Sequence, residues 1–252
     1  MSPAPIALIT GGSRGIGAAT ARLAAARGWA VAINYQHRAD AAHALVAEIT
    51  AQGGQAVALQ ADVGKEAEIE AMFRALDQHW GRPLTALVNN AGVVDRTCRV
   101  ADMTAQRVER LFRINVTGSF VCAREAVRRM STAYGGVGGC IVNVSSGAAL
   151  LGAPGQYVDY AATKGAQDVL TYGLAKEVAA EGIRVNGVRP GLIDTEIHAS
   201  GGLPDRVRDL QHTVPLGRAG HAEEVARAIL WLMSADSSYT TGSFIEVTGG
   251  RH

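Results

Sequence analysis

Seven short apolar runs recur along the chain: IALIT (6–10), AVAIN (30–34), AVALQ (56–60), ALVNN (86–90), CIVNVSS (140–146), IRVNGV (183–188) and SFIEV (243–247). Longer, alanine-rich segments of helical period separate them. An apolar run without polar alternation is a strand buried on both faces, and strands that alternate with helices pair in parallel. The pattern therefore predicts an α/β fold, a doubly wound parallel sheet of seven strands with helices on both faces. Gly28, Gly53, Gly54, Gly81 and Gly182 mark predicted helix ends. A chain of 252 residues is long for one unit but usual for a large α/β core, and no repeat, charge run or linker divides it. We expect a single domain over 1–252. The glycine-rich TAYGGVGGC (132–140) reads as a flexible loop.

Hydrophobic residues make up 48%, charged residues 19%, and the net charge is +1. That balance gives no electrostatic footprint for nucleic acid or an anionic membrane, so small molecules are the expected partners. No apolar run approaches the ~18 residues of a membrane helix, and MSPAPIALIT opens directly into a strand instead of a basic signal peptide. A cytoplasmic location is expected. The three cysteines, Cys98, Cys122 and Cys140, form no CxxC, and the histidines show no HxxxH, so no metal site is expected.

ITGGSRGIGAAT places Gly11, Gly15 and Gly17 between the first strand and the first helix. Residues without Cβ let the backbone approach a pyrophosphate at the positive end of a helix, although a glycine turn can also serve only to pack helix on strand. An enzyme preferring NAD would carry an acid at the end of the second strand to hold the ribose 2′-hydroxyl. Here Asn34, Tyr35 and Gln36 stand there, followed by His37 and Arg38. Arg38 and Arg14 could pair with a 2′-phosphate, so NADP(H) is expected, with NAD as the alternative. Asp62-Val63, after the third strand, fits either an adenine contact or a helix N-cap.

Only three of the 24 cationic residues are lysines, and one of them, Lys164, follows Tyr160 by four in YAATK. That spacing puts both on one helical face. A tyrosine titrates near pH ~10, so acid/base work near neutrality needs a cation to stabilise its phenolate. Tyr172 and Lys176 repeat the spacing, but lie about 18 Å further along the helix, and both tyrosines cannot serve one site. Ser145 and Ser146, closing the fifth strand, could polarise a carbonyl oxygen or be turn material. Asn115 interrupts a predicted helix, where asparagine is a poor former; local distortion and plain solvent exposure both fit it.

Taken together, TGGSRGIG (10–17), NNAG (89–92), Asn115, the VSS serine, YAATK (160–164) and RPGLIDT (189–195) resemble the short-chain dehydrogenase/reductase family over nearly the entire chain. The resemblance implies a Rossmann-type sheet assembled as a homotetramer. It implies Tyr160 as acid/base, Lys164 lowering its pKa and holding the nicotinamide ribose, Ser146 orienting the substrate oxygen, and Asn115 anchoring a relay water. It further implies cofactor contacts at Gly11, Ser13, Arg14, Gly15, Ile16 and Gly17, at Asn34, Tyr35, Arg38, Asp62 and Val63, and at Asn89, Ala91 and Gly92. Pro190, Gly191, Ile193 and Thr195 complete that set, the last two at the carboxamide. The interval from Ser146 to Tyr160 is one residue longer than the family's usual spacing, which leaves Ser145 open as the substrate serine.

The expected activity is NADP(H)-dependent oxidoreduction of a ketone, aldehyde or secondary alcohol. The resemblance is nearest to bacterial glucose 1-dehydrogenase-like oxidoreductases, through patterns such as YVDYAA and HASGG. A sugar dehydrogenase, with His198 and Asp95 as hydroxyl contacts, and a 3-oxoacyl-thioester reductase, with Arg96, Arg99, Arg206 and Arg208 at the site mouth, are the narrower alternatives. A dinucleotide-binding sensor without turnover is a third. Residues 192–215, carrying Pro204 and Pro215, read as a partly helical excursion covering the substrate.

Overall fold

The computed structural model describes residues 3–197 and 201–251. All seven expected strands form: β1 (Ile6–Ile9), β2 (Ala30–Tyr35), β3 (Gln55–Gln60), β4 (Ala86–Asn89), β5 (Gly139–Val144), β6 (Ile183–Pro190) and β9 (Phe244–Val247). They make one parallel sheet in the order β3-β2-β1-β4-β5-β6-β9. A separate pair, β7 (Ile193–Asp194) and β8 (Gly220–His221), braces the excursion after β6.

Alternation along each strand divides the core into two layers. From β1, Ala7 and Ile9 face α1 (Gly15–Ala26), α2 (Ala39–Ala51) and α9 (Ala222–Met233). Ile6 and Leu8 face the opposite layer of α3 (Glu66–Trp80), α5 (Gly118–Met130) and α7 (Val158–Val178). Burial on both faces is why these strands are apolar without interruption. The chain winds outward from β1 to β3, then restarts on the other side of β1 with β4. Strand order reverses between β1 and β4, and the loops leaving their carboxyl ends diverge there, which opens a crevice.

The helical segment around Asn115 is distorted as the sequence suggested. A π-helical turn, Arg113–Thr117, links α4 (Ala105–Phe112) to α5, and Asn115 is fully buried within it. The 132–140 segment differs from the expected loop. Gly136 and Gly138 donate to Ser131 and Met130 carbonyls at 2.8 and 2.7 Å, and Gly139 donates to Gly182 at 3.0 Å. A Cβ on Gly136 would lie 2.4 Å from the Met130 carbonyl oxygen, so glycine serves close packing at that position.

Candidate functional site

Two adjoining cavities occupy the crevice at the carboxyl ends of the strands. The first, about 450 Å³, is lined by Ser145, Ser146, Tyr157, Tyr160, Lys164 and the Pro190–Ile193 segment, among others. The second, about 410 Å³, runs from the glycine turn past Tyr35 and Arg38 to Asp62 and Val63. Ile16, Asn90, Gly92, Thr195 and Ile197 line both, so the two form one elongated cleft.

The second cavity has the chemistry of an anion cradle. Gly11 and Gly15 adopt φ of 59° and 53°, a region that disfavours side chains. A Cβ on Gly17 would lie 2.6 Å from both Asn90 Nδ2 and the Gly11 carbonyl oxygen. Arg14 caps α1 without a side-chain hydrogen bond, which leaves the first N–H groups of the helix for another acceptor. Ser13, Arg14, Gly15 and Ile16 line this end with Gly11, and Ala91, Gly92 and Val93 the opposite wall. These residues fit a dinucleotide. Arg14 and Arg38 both reach the cavity with exposed guanidiniums, Arg14 at 3.8 Å from Glu196 and Arg38 at 3.4 Å from Asp40. Asp62 Oδ1 accepts from Gly64 N at 2.8 Å, and α3 begins later with Lys65 as its N-cap, so Asp62 does not cap that helix.

Two residues expected to touch a cofactor instead brace the fold. Asn34 is buried: its Oδ1 accepts from Gly11 N at 3.1 Å and its Nδ2 donates to Ala61 O at 3.0 Å. Its carboxamide is spent holding the glycine turn to the third strand's exit, and the residue also lines the second cavity. Asn89 lines neither cavity, because its side chain points between strands, with Nδ2 donating to Asn143 Oδ1 at 3.0 Å and Ser119 O at 3.2 Å. Asn90 is the asparagine at the cleft, and its Nδ2 donates to the carbonyls of Thr10 and Gly11 at 2.8 and 3.0 Å.

In the first cavity, α7 delivers the tyrosine. Asp159, in its first turn, is held by Arg107 through Nε at 2.6 Å and Nη2 at 3.3 Å, a largely buried bidentate pair. Asp159 Oδ1 also accepts from Tyr160 N at 2.9 Å, which fixes the start of the helix. Tyr160 and Ser146 line the same cavity, and the Ser146 side chain is near enough to the phenol to pull its pKa down. Ser145 points its hydroxyl to the Lys164 carbonyl at 3.3 Å, so Ser146 is the serine beside the phenol. Tyr172 lies elsewhere, its hydroxyl accepting from Arg189 at 3.3 Å, and Lys176, like Lys65, is exposed.

Lys164 is buried, with Nζ donating to Val144 O at 2.7 Å and Gln167 Oε1 at 2.8 Å. It lies 5.6 Å from the centroid of the Tyr160 ring instead of bonding the phenol oxygen. Burial therefore dominates both titrations. It pushes the phenol up to about 12, with Ser146 pulling it back, and the ammonium down to about 7, with Asp168 opposing. The expected lowering of the phenol by Lys164 is absent from this arrangement.

Gln167 was not legible as a site residue. It lies three after Lys164 on the same helical face, and its Nε2 donates to the Asn115 carbonyl at 2.9 Å and to Ser119 Oγ at 2.8 Å. The carboxamide thus ties the lysine to the π-helical turn. Asn115 itself clasps Val93, donating from Nδ2 to Val93 O at 2.9 Å and accepting from Val93 N at 2.8 Å. That clasp fixes the wall between the two cavities.

Pro190, Gly191, Ile193 and Thr195 line the first cavity. Of the proposed sugar contacts, His198 lies outside the described residues, and Asp95 is paired with Arg110 at 2.8 Å without lining either cavity. Arg206 does line the first cavity; Arg96 and Arg99 are exposed away from it, and Arg208 pairs with Asp205 and Asp209. Among the described residues no three His, Cys, Asp or Glu side chains group as a metal site, and no helix is long and apolar enough to cross a membrane.

Comparison with known proteins covers almost the full chain. A family model described as enoyl-(acyl carrier protein) reductase matches residues 11–252. An uncharacterized oxidoreductase, YgfF, of Escherichia coli (strain K12) is 58% identical over 246 residues, which is 98% of this chain and 99% of the relative. A 3-oxoacyl-[acyl-carrier-protein] reductase of a Synechocystis species is 37% identical, over 98% of this chain and 96% of its own. The crystal structure of a short chain dehydrogenase from Burkholderia cenocepacia J2315 in complex with NADP superposes with a TM-score of 0.88 at 33% identity, over 98% of this chain and 97% of that one.

Proposed function

The chain belongs to the short-chain dehydrogenase/reductase family of oxidoreductases, and from that premise we propose an NADP(H)-dependent enzyme that moves hydride between nicotinamide and a small ketone, aldehyde or secondary alcohol. The observation that carries this reading is the placement of Ser146, Tyr160 and Lys164 together in a cavity continuous with the glycine-lined cradle. NADP is favoured over NAD by Arg14 and Arg38 at the far end of the cleft, and by the NADP found in the Burkholderia relative.

The cofactor, bound along the cleft, supplies the hydride and, when oxidised, a positive charge. Ser146 donates a hydrogen bond to the substrate oxygen, which polarises the carbonyl. Tyr160 delivers its proton to that oxygen in reduction and removes it in oxidation. A phenol pushed up to about 12 holds its proton until a cation stabilises the phenolate; the nearness of Lys164 Nζ, 5.6 Å from the ring centroid, supports that role for it once the cofactor is bound. Asn115 and Gln167 hold the lysine and the cavity wall in register.

A sugar substrate is disfavoured by the position of Asp95, which spends its carboxylate on Arg110. Reduction of a 3-oxoacyl thioester stays as the second reading, supported by the Synechocystis relative's activity. Residues 192–215 serve as the substrate cover within a single domain, since Leu192, Leu203 and Arg206 line the first cavity. Exposed apolar residues on α5 and α7, Phe120, Val169 and Tyr172, support assembly into a homotetramer. Tyr160→Phe tests the chemistry: turnover should fall by roughly 10²–10⁴-fold with NADPH affinity held near the parent's. Retained turnover would remove Tyr160 from the acid/base role.

A further inference from the structure

Two arginines in the first cavity have no carboxylate to pair with among the described residues. Arg206, on the short helix α8 (Arg206–Leu210), and Arg251, after β9, line it together with Ser146 and Tyr160. Several other half-buried guanidiniums are matched by carboxylates, Arg107 with Asp159, Arg129 with Asp77 and Glu125, Arg189 with Asp168, while Arg82 and Arg184, which line neither cavity, are held by neutral acceptors. Arg206 instead holds one neutral acceptor, Gln156 Oε1 at 2.7 Å, and lies 5.0 Å over the Tyr157 ring. Arg251 holds the Thr213 hydroxyl at 3.0 Å. The two charges are close enough to act on common neighbours. Burial lowers the Arg206 pKa and Arg251 lowers it further; the Tyr157 phenol, raised by burial, is pulled back by both arginines.

Gathering two partly desolvated cations without a counter-ion costs free energy. A ligand anion removes that cost, and planar guanidinium forks match carboxylate and phosphate oxygens. Tyr157 stands between Arg206 and the reaction centre, its ring 5.7 Å from that of Tyr160 and nearly perpendicular. The anion-binding end is thus about one aromatic ring away from the phenol. Leu151, Leu192 and Leu203 supply an apolar wall for the carbons between.

We propose that the substrate carries an oxyanion, a carboxylate in the first instance, seated between Arg206 and Arg251 while its carbonyl or hydroxyl meets Ser146 and Tyr160. The substrate class is a small keto acid or hydroxy acid. This rests on the oxidoreductase reading of the same cavity. The carboxylate is a spectator: in reduction the carbonyl carbon gains a hydride, NADPH is oxidised to NADP, and the carbonyl oxygen gains the Tyr160 proton.

Matched probes test it: 4-oxopentanoate against its methyl ester, and dihydroxyacetone phosphate against dihydroxyacetone. The readouts are kcat/KM with NADPH and, independently of turnover, calorimetric binding of each probe to the whole protein in the presence of NADP. The charged member should be favoured by about 10-fold or more in at least one pair, and the favoured pair identifies carboxylate or phosphate as the anion. In the Arg206→Gln/Arg251→Gln double variant that ratio should fall to near parity. The corresponding Lys variants, which keep the charge, should retain part of it and stand in if the double variant does not fold. Neutral probes bound and turned over as well as charged ones in both pairs would overturn the proposal, as would a preference that survives the double variant. Charged probes bound but no probe turned over would uphold the anion site and instead refute the oxidoreductase reading of it.

Discussion

Gln167→Leu removes the carboxamide that joins Lys164 to the π-helical turn while keeping its bulk. Three buried hydrogen bonds are lost, at 2.8 Å to Lys164 Nζ, 2.9 Å to the Asn115 carbonyl and 2.8 Å to Ser119 Oγ. A bond to a charged group contributes about 1.5–3 kcal/mol and a neutral one about 0.5–1.5 kcal/mol. Leucine's extra apolar burial returns on the order of 1 kcal/mol. Near pH 6, where Lys164 is charged, the net destabilisation should be about 2–4 kcal/mol. Near pH 9 the amine, pushed down to about 7, is neutral, and the penalty should shrink by about 1 kcal/mol. For a chain of this size that is a melting temperature lowered by roughly 5–10 °C near pH 6, with a visibly smaller drop near pH 9. Thermal unfolding of both proteins by circular dichroism at the two pH values measures it. An equal drop at both would refute the idea that the carboxamide supports the ammonium form.

Three further outcomes are expected. Arg38→Ala should weaken NADPH binding about 10–100-fold, the worth of one charge-assisted phosphate contact, and leave NADH unchanged; titration of reduced-nicotinamide fluorescence reads both, and equal losses would deny Arg38 the 2′-phosphate. Gly17→Ala places a Cβ 2.6 Å from the Gly11 carbonyl and should cost about 1–3 kcal/mol of stability together with cofactor affinity; a variant that melts and binds like the parent would show that the turn has room. Since the chain has three lysines, NMR of isotopically labelled lysine should resolve them, with Lys164 titrating near pH 7 and Lys65, whose pKa is raised by its bond to Glu68, far above it. Between about 7 and the ordinary lysine value the unfolded chain holds one proton more at this position, so its contribution to stability rises with pH at about 1.4 kcal/mol per unit. Lys164→Met should flatten that slope, and an unaltered slope would place the ammonium's pKa elsewhere.

The central strands β1 and β4 were readable because burial on both faces leaves a local mark, a nearly unbroken apolar run, in the sequence. The glycine turn was readable for a similar reason, since a positive φ at Gly11 and Gly15 is a property of the residue itself. The choice between Ser145 and Ser146 was not, because neighbouring residues at a strand's end point to opposite sides and the linear interval to Tyr160 does not say which. The bracing bonds of Asn34 and Asn89 were not readable on the same account: each sits at the end of a strand, where a small rotation decides how much of the side chain faces the cleft. Gln167, Arg206 and Arg251 depend on what the rest of the chain brings beside them. Gln167 gains its meaning from Asn115, and the arginines from the absence of nearby carboxylates in the described residues.

The burial of Lys164 also governs how the protein can be handled. Arginine fills nearly every position where a positive charge is needed, so the only exposed side-chain amines are Lys65 beside α3 and Lys176 on α7, neither of which lines the cleft. Amine-directed coupling to a bead, an electrode or a dye therefore finds two defined side-chain handles outside the cleft. The buried Lys164 is the one such reagents reach last.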